Sequence, residues 1–236
     1  MPDHHEVYRS EADQYERLVA REDKDGNILK TLRQLAPLSE VDVVETGAGT
    51  GRLTCLLAPE VKSLRAFDIS EAMLAVARAR LEAMGHSEVS TSVADHRSLP
   101  VPDSCADVLI SGWSVCYLVD WDPAGWRAQL DLALAEFRRV LRPGGRIILL
   151  ETEGTGFETP HPPDHLREYY KFLREHGFQS TWIRTDYCFA SPAEAVDLAT
   201  FFFGTDLGNQ VLASASPILP ECTGVWWWES EDVSSE

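Results

Sequence analysis

The sequence predicts an α/β fold in which a mostly parallel, doubly wound sheet carries helices on both faces. Three observations lead there. Between residues 41 and 151, short apolar runs alternate with longer stretches whose apolar residues keep helical spacing. The run from Cys105 to Ser111 is nearly all apolar, as expected of a strand covered on both faces. The stretch VDVVETGAGTGRLT, from Val41 to Thr54, passes from an apolar strand through Gly47, Gly49 and Gly51 into the start of a helix. Glycines there admit positive φ and close approach of a ligand, and the helix start offers unpaired N–H groups.

Taken in order, residues 1–36 form a polar helical cap. Tyr8, Ala12, Tyr15 and Val19 mark one helix and Ile28 to Leu35 a second, divided by the turn Asp23 to Asn27. That turn alternates acids as a calcium loop does, but Gly26 is misplaced and no glutamate closes a 12-residue loop. After the glycine loop come a helix Arg52 to Ala58 and a strand Ser63 to Asp68. Ser70 caps the next helix, Met73, Ala77, Leu81 and Met84 form its buried stripe, and Gly85 ends it. Strands at Glu88 to Ala94 and Cys105 to Ser111 precede a helix from Pro123 to Leu141. Arg142 to Gly145 stops that helix before a strand from Arg146 to Glu151.

The segment 152–229 changes character. A Gly/Pro/His loop to Asp164 leads to a helix Leu166 to His176, then a strand Phe178 to Phe189 rich in β-branched and aromatic residues. Ser191-Pro192 opens a further helix ending near Gly204, with proline at its first position. A short helix and a strand Cys222 to Glu229 close the chain. In that strand Trp226 and Trp228 share a face opposite Trp227. The acidic tail 230–236 is expected to be disordered. The organisation is thus a single domain, with a cap at 1–36, a core at 37–151, and the segment 152–229.

Charge and cysteine usage narrow the partners. With 38 acidic against 21 basic residues, the net charge of −17 gives no footprint for a phosphate backbone or an anionic membrane. Five scattered cysteines without a Cys-x-x-Cys pair argue for a reducing compartment, no structural zinc and no disulfide framework. No segment has the apolar length of a membrane span or a leader, so a cytoplasmic location is expected, as monomer or homodimer.

Open parallel sheets bind ligands at the carboxyl ends of their strands. Glu45, Asp68, Asp95 and the stretch Ser111 to Trp113 all fall at such ends. A dinucleotide fingerprint counted from Gly47 needs glycine at position 52, where the chain has Arg52, and a Walker lysine is absent. Singly, Asp68 suits a helix N-terminus, Asp95 a turn cap and Glu45 an arginine partner. Jointly they frame a ligand site.

On these residues the chain resembles the class I S-adenosylmethionine-dependent methyltransferases. Glu45-Thr46-Gly47-Ala48-Gly49-Thr50-Gly51 is similar to their first signature. Asp68 and Asp95 match the acids ending their second and third strands, and Arg139 to Gly145 resembles the run before their fifth. The likeness spans roughly residues 40 to 151. It implies a Rossmann-like seven-stranded sheet with one antiparallel strand near the C-terminus, S-adenosylmethionine as cofactor, S-adenosylhomocysteine as product, and methyl transfer to a small-molecule acceptor.

By that resemblance Glu45 faces the ammonium side of the methionine moiety, with Gly47, Ala48, Gly49 and Gly51 admitting the ligand to the backbone. Asp68 accepts from both ribose hydroxyls, and Asp95 from the adenine amino group beside Ala94 and His96. Ile69 and Met73 neighbour the ring, while Ser111, Gly112 and Trp113 border the methionine part, the tryptophan offering its π face to the sulfonium. Tyr8 resembles a tyrosine ahead of the first strand, over the cofactor's methionine end. His161, His165 and His96 are candidate bases. Tyr117, Trp121, Tyr169, Tyr170, Trp182 and Tyr187 are candidate walls of an apolar acceptor pocket. A DNA methylase is disfavoured by charge and by Ser111-Gly112-Trp113-Ser114 where a Pro-Pro-Tyr-like turn is expected. A protein-arginine methylase would need paired glutamates after the fourth strand. The alternative from another class is a non-catalytic S-adenosylmethionine-binding sensor.

Overall fold

The computed structural model describes residues 4–230. Residues 1–3 of the expected cap and the expected tail past Ser230 lie outside them. Among the described residues three α-helices, not two, precede the sheet: α1 (His4–Ser10), α2 (Ala12–Val19) and α3 (Asn27–Leu35), followed by a single 3-10 turn at Leu38–Glu40. The first pattern divides at Glu11, whose φ of −118° and ψ of 30° leave the helical region. Between α2 and α3 the turn acid Asp23 acts as a cap, its carboxylate accepting from the N–H of Asn27 at 2.7 Å and of Ile28 at 3.0 Å.

The core then alternates as the apolar pattern demands: β1 (Asp42–Thr46), α4 (Arg52–Leu57), β2 (Ser63–Asp68), α5 (Glu71–Met84), β3 (Ser90–Val93) and β4 (Ala106–Gly112). In α5 the Ser70 hydroxyl accepts from the Met73 N–H and Gly85 closes the helix at φ 82°. Met73, Ala77 and Leu81 are buried, but Met84 at the helix end is 49% exposed. The expected helix 123–141 is α7 (Trp126–Val140), and a short α6 (Tyr117–Trp121) that the sequence did not predict precedes it. Asp122 separates them, its carboxylate accepting from the N–H of Gly125 at 2.9 Å.

The strand after α7 is longer than expected, β5 (Leu141–Thr155), and a register shift between Ala106 and Val108 absorbs Arg142 to Gly145. After α8 (Arg167–Glu175), the expected strand 178–189 splits into β6 (Gln179–Arg184) and β7 (Tyr187–Cys188). Asp186, 8% exposed, sits at the break and accepts from the Arg184 guanidinium at 2.8 Å and the Glu221 N–H at 3.1 Å. That tether turns the chain out of the main sheet. β7 pairs instead with β8 (Ile218–Leu219), beyond α9 (Pro192–Phe203) and α10 (Thr205–Ser214).

The last strand, β9 (Glu221–Glu229), enters antiparallel between β5 and β6 and gives a seven-stranded sheet of order β3-β2-β1-β4-β5-β9-β6. This is the doubly wound, mostly parallel sheet with one antiparallel strand that the sequence predicts. Alternation along each strand feeds two cores. On one face Leu109, Ile147, Leu149 and Trp226 pack with Leu134 and Phe137 of α7 and Phe172 of α8, and Trp228 joins them. On the other, Val108, Ile110, Ile148 and Val225 pack with Ile28 and Leu32 of α3 and Leu53 of α4, and Trp227 joins those. A third apolar cluster joins Val7, Leu18, Tyr187, Leu198 and Phe202, and so fastens α1, α2, α9 and β7 into one layer.

Candidate functional site

At the carboxyl ends of β1, β2 and β4, beside the loop after β3, lies a cavity of about 740 Å³. The glycine loop forms its floor. Gly47 and Gly49 take φ of 71° and 55°, and the Gly49 N–H donates to Asp68 Oδ2 at 2.8 Å. A side chain at Gly47 would run into Ser114, whose Oγ lies 2.0 Å from a built Cβ, whereas Gly49 faces open space. Asp68 Oδ1 accepts from the Ser70 N–H at 2.8 Å, so each carboxylate oxygen of this 9%-exposed acid holds one backbone bond and keeps lone-pair capacity.

Glu45, next to last in β1, lies on the cavity wall, 1% exposed, and its Oε2 has no hydrogen-bond partner among the described residues. Burial pushes its carboxyl up to about 8. Asp95 also lines the cavity, but both its oxygens are engaged by Arg97, from Nε at 2.7 Å and Nη2 at 2.5 Å, and that contact holds it below the usual carboxylate range. His96 is half-buried on the cavity wall. Its Nδ1 is hydrogen-bonded to the Thr46 hydroxyl at 2.6 Å and its Nε2 to the Ser114 hydroxyl at 3.1 Å, and burial lowers it to about 4. A neutral imidazole with both nitrogens engaged ties three loops together and is ill placed as a base.

Of the other expected cofactor residues, Tyr8, Ala48, Ile69, Met73, Ala94, Gly112 and Trp113 line the cavity. Ile69 is 59% exposed there, a ring-sized apolar surface at the rim. Gly51 and Ser111 do not line it. Gly51 starts α4 against Ala77, and Ser111 is buried with its hydroxyl unpartnered. Trp113 takes φ 48°, and the Arg52 guanidinium lies 3.3 Å from its ring centroid, so one π face is already covered.

A second cavity, of about 300 Å³, adjoins the first, and Tyr8, Tyr15, Arg52, Trp113 and Tyr117 border both. Tyr187, His161 and His165 line it. His161 stacks on Phe157 at 4.1 Å between centroids, and His165 Nε2 lies 3.7 Å from Asp120. Tyr169, Tyr170 and Trp182 stand elsewhere. The Tyr169 hydroxyl donates to buried Glu151 at 2.7 Å, Tyr170 bonds the Thr152 carbonyl against Trp226, and Trp182 is 42% exposed on the edge strand β6. Trp121 lines the first cavity.

The N-terminal helices close over this region. The Ser70 hydroxyl donates to the Tyr8 carbonyl at 2.8 Å, Tyr8 hydrogen-bonds Tyr117, and Arg80 joins Glu16 at 2.9 Å to the Thr50 carbonyl at 2.7 Å. Sequence reasoning overlooked Arg52 as a wall residue; it is ion-paired to Glu22. It also overlooked Glu221, although a lone acid heading the apolar run ECTGVWWW was a usable signal.

Residues 44–149 match the methyltransferase domain family. The ubiquinone/menaquinone biosynthesis C-methyltransferase of Rubrivivax gelatinosus is 32% identical over 129 residues, 55% of this chain and 44% of that protein. The malonyl-[acyl-carrier protein] O-methyltransferase of Hahella chejuensis is 35% identical over 149 residues, 61% of this chain and 47% of that protein. The chain spans about half the length of these relatives. Among solved structures, phosphoethanolamine N-methyltransferase 2 of Haemonchus contortus in complex with S-adenosyl-L-methionine aligns at TM-score 0.61 and 16% identity, covering 97% of this chain and 59% of that one. A SAM-dependent methyltransferase from Aquifex aeolicus aligns at TM-score 0.56 and 16% identity, covering 87% and 93%. At such identity these two likenesses establish the fold.

Proposed function

We propose that this chain is a class I S-adenosylmethionine-dependent methyltransferase and that it methylates a small-molecule acceptor in the cytoplasm. The observation that carries this reading is Glu45, a buried acid lining a cavity floored by the glycine loop, whose Oε2 meets no hydrogen-bond partner among the described residues. A lone carboxyl removed from water is costly unless a cation or donor meets it. The ammonium of S-adenosylmethionine is a group of that kind.

The remaining donors and acceptors fit the same molecule. Asp68 has one free lone-pair direction on each oxygen for a ribose diol, and exposed Ile69 with Met73 offers an apolar seat for a purine. Asp95 would share its carboxylate between Arg97 and the adenine amino group. When bound, S-adenosylmethionine supplies a methyl group on a cationic sulfonium with a neutral thioether as leaving group. The chain's task is then alignment and exclusion of water. Tyr8 and Tyr117 stand where the two cavities meet, and α1 roofs the first through its bond to Ser70.

The test supplies methyl-labelled S-adenosylmethionine with a metabolite extract and follows labelled product by mass spectrometry. Conversion to S-adenosylhomocysteine with one labelled small molecule supports the reading. Binding without any turnover identifies a sensor instead.

A further inference from the structure

The second cavity is bordered by an acid that the protein satisfies only in part. Glu221, at the head of β9, is 2% exposed; its Oε1 accepts from the Thr152 hydroxyl at 2.8 Å, while its Oε2 is buried with no hydrogen-bond partner among the described residues. The same cavity is lined by the rings of Tyr8, Tyr15, Tyr117, Tyr187, Phe202 and Phe203. Burial pushes all four tyrosines upward, so these walls stay neutral. The Arg52 guanidinium on this wall is committed to Glu22 and to the Trp113 ring. Asp120, the cavity's other carboxylate, faces His165 at 3.7 Å.

Aromatic faces attract cations, and a buried carboxylate lacking a partner does so more strongly. An anion would meet Glu221 with no uncommitted guanidinium to offset it. We propose that this cavity is the acceptor site and that it takes a small ring-bearing amine, its ammonium donating to the Glu221 carboxylate and its ring packed among the tyrosine and phenylalanine rings. As methyl acceptor this molecule rests on the methyltransferase reading; its binding does not. The amine would enter as RNH₃⁺ and pass one proton to Glu221. It would leave as RNH₂CH₃⁺ once the methyl carbon has moved from sulfur to nitrogen, with the C–S electron pair left on sulfur and one proton released overall.

Calorimetry on the whole chain with 2-phenylethylamine, 2-phenylethanol and 3-phenylpropanoate tests this, because the three share a ring and differ in head group. The amine is expected to bind about tenfold more tightly than the alcohol, the gain of a charge-assisted bond over a neutral one. In Glu221→Gln that advantage should vanish. Equal affinity for amine and alcohol, preference for the propanoate, or no binding of any probe to the wild-type chain overturns the proposal, and none of these depends on the variant folding. S-adenosylmethionine titrated into the same protein separates the two readings. Its binding without the amine's removes the amine site alone, and the amine's without its binding removes the methyltransferase reading alone.

Discussion

Binding of S-adenosylmethionine is expected to expel a proton from Glu45. Burial holds that carboxyl at about 8, so at pH 7 about 0.9 of the molecules carry it protonated. An ammonium within a few ångströms lowers a carboxyl by roughly 1–3 units. A fall of about two units leaves about 0.1 protonated, so binding releases about 0.8 proton and affinity weakens by nearly that power of ten per unit fall in pH. The assay is titration calorimetry at pH 7 in two buffers of different ionisation enthalpy. The observed heat should differ between them by the proton count times the enthalpy difference. In Glu45→Gln the release should disappear and affinity should drop tenfold or more, from loss of a bond worth about 1.5–3 kcal/mol. The free ligand's amino group titrates identically in both titrations, so a difference between the two proteins reports the groups at the site. Heats independent of buffer in the wild-type chain, or equal proton release from Glu45→Gln, would refute the placement of the ammonium at Glu45.

Other expectations follow from the same geometry. Asp68→Ala should weaken S-adenosylmethionine by at least about tenfold, since charge-assisted bonds are worth about 1.5–3 kcal/mol, and unchanged affinity by calorimetry would remove the ribose role. Gly47→Ala should lower the urea midpoint by the equivalent of about 2 kcal/mol or more, because φ is 71° and the new methyl meets Ser114; an unchanged midpoint contradicts the packing. Stability should also depend on pH. Burial raises Glu45 to about 8 and Glu151 and Glu221 to about 7, so the folded chain holds protons that the unfolded chain has lost. Their contribution is full below the ordinary carboxyl range and fades as pH rises through 7 to 8. His96 opposes this only below its ordinary value, so from pH 6.5 to 8 unfolding free energy should fall by about 3 kcal/mol. Denaturant titrations that show a rise over that window would contradict it.

The wall of the first cavity was legible because strand period and glycine spacing are local. Glu45 is next to last in β1, Asp68 ends β2 and Asp95 follows β3, and the carboxyl ends of such strands are where ligands meet. Where the reading slipped, a contact distant in sequence decided the outcome. Nothing within 178–189 announces that Asp186 is held by Glu221, yet that bond ends β6 and sends β7 to another sheet. Tyr169 and Tyr170 read as pocket aromatics, but the chain folds α8 onto β5 and β9, where Glu151 and Trp226 receive them. The second cavity was the least legible, since α1, α2, β7, α9 and the head of β9 supply its walls. No window of the sequence contains that set. The cap was mistaken for two helices because Tyr8 and Tyr15 keep one apolar face across the break at Glu11.

The most direct test of the account is titration of S-adenosylmethionine and NAD into the same preparation of the whole chain. Arg52 in place of a third-position glycine, Asp68 at the loop and the unpartnered Glu45 together predict saturable one-to-one binding of S-adenosylmethionine and of S-adenosylhomocysteine, with NAD far weaker. Tighter binding of NAD, or no heat with S-adenosylmethionine, would contradict it.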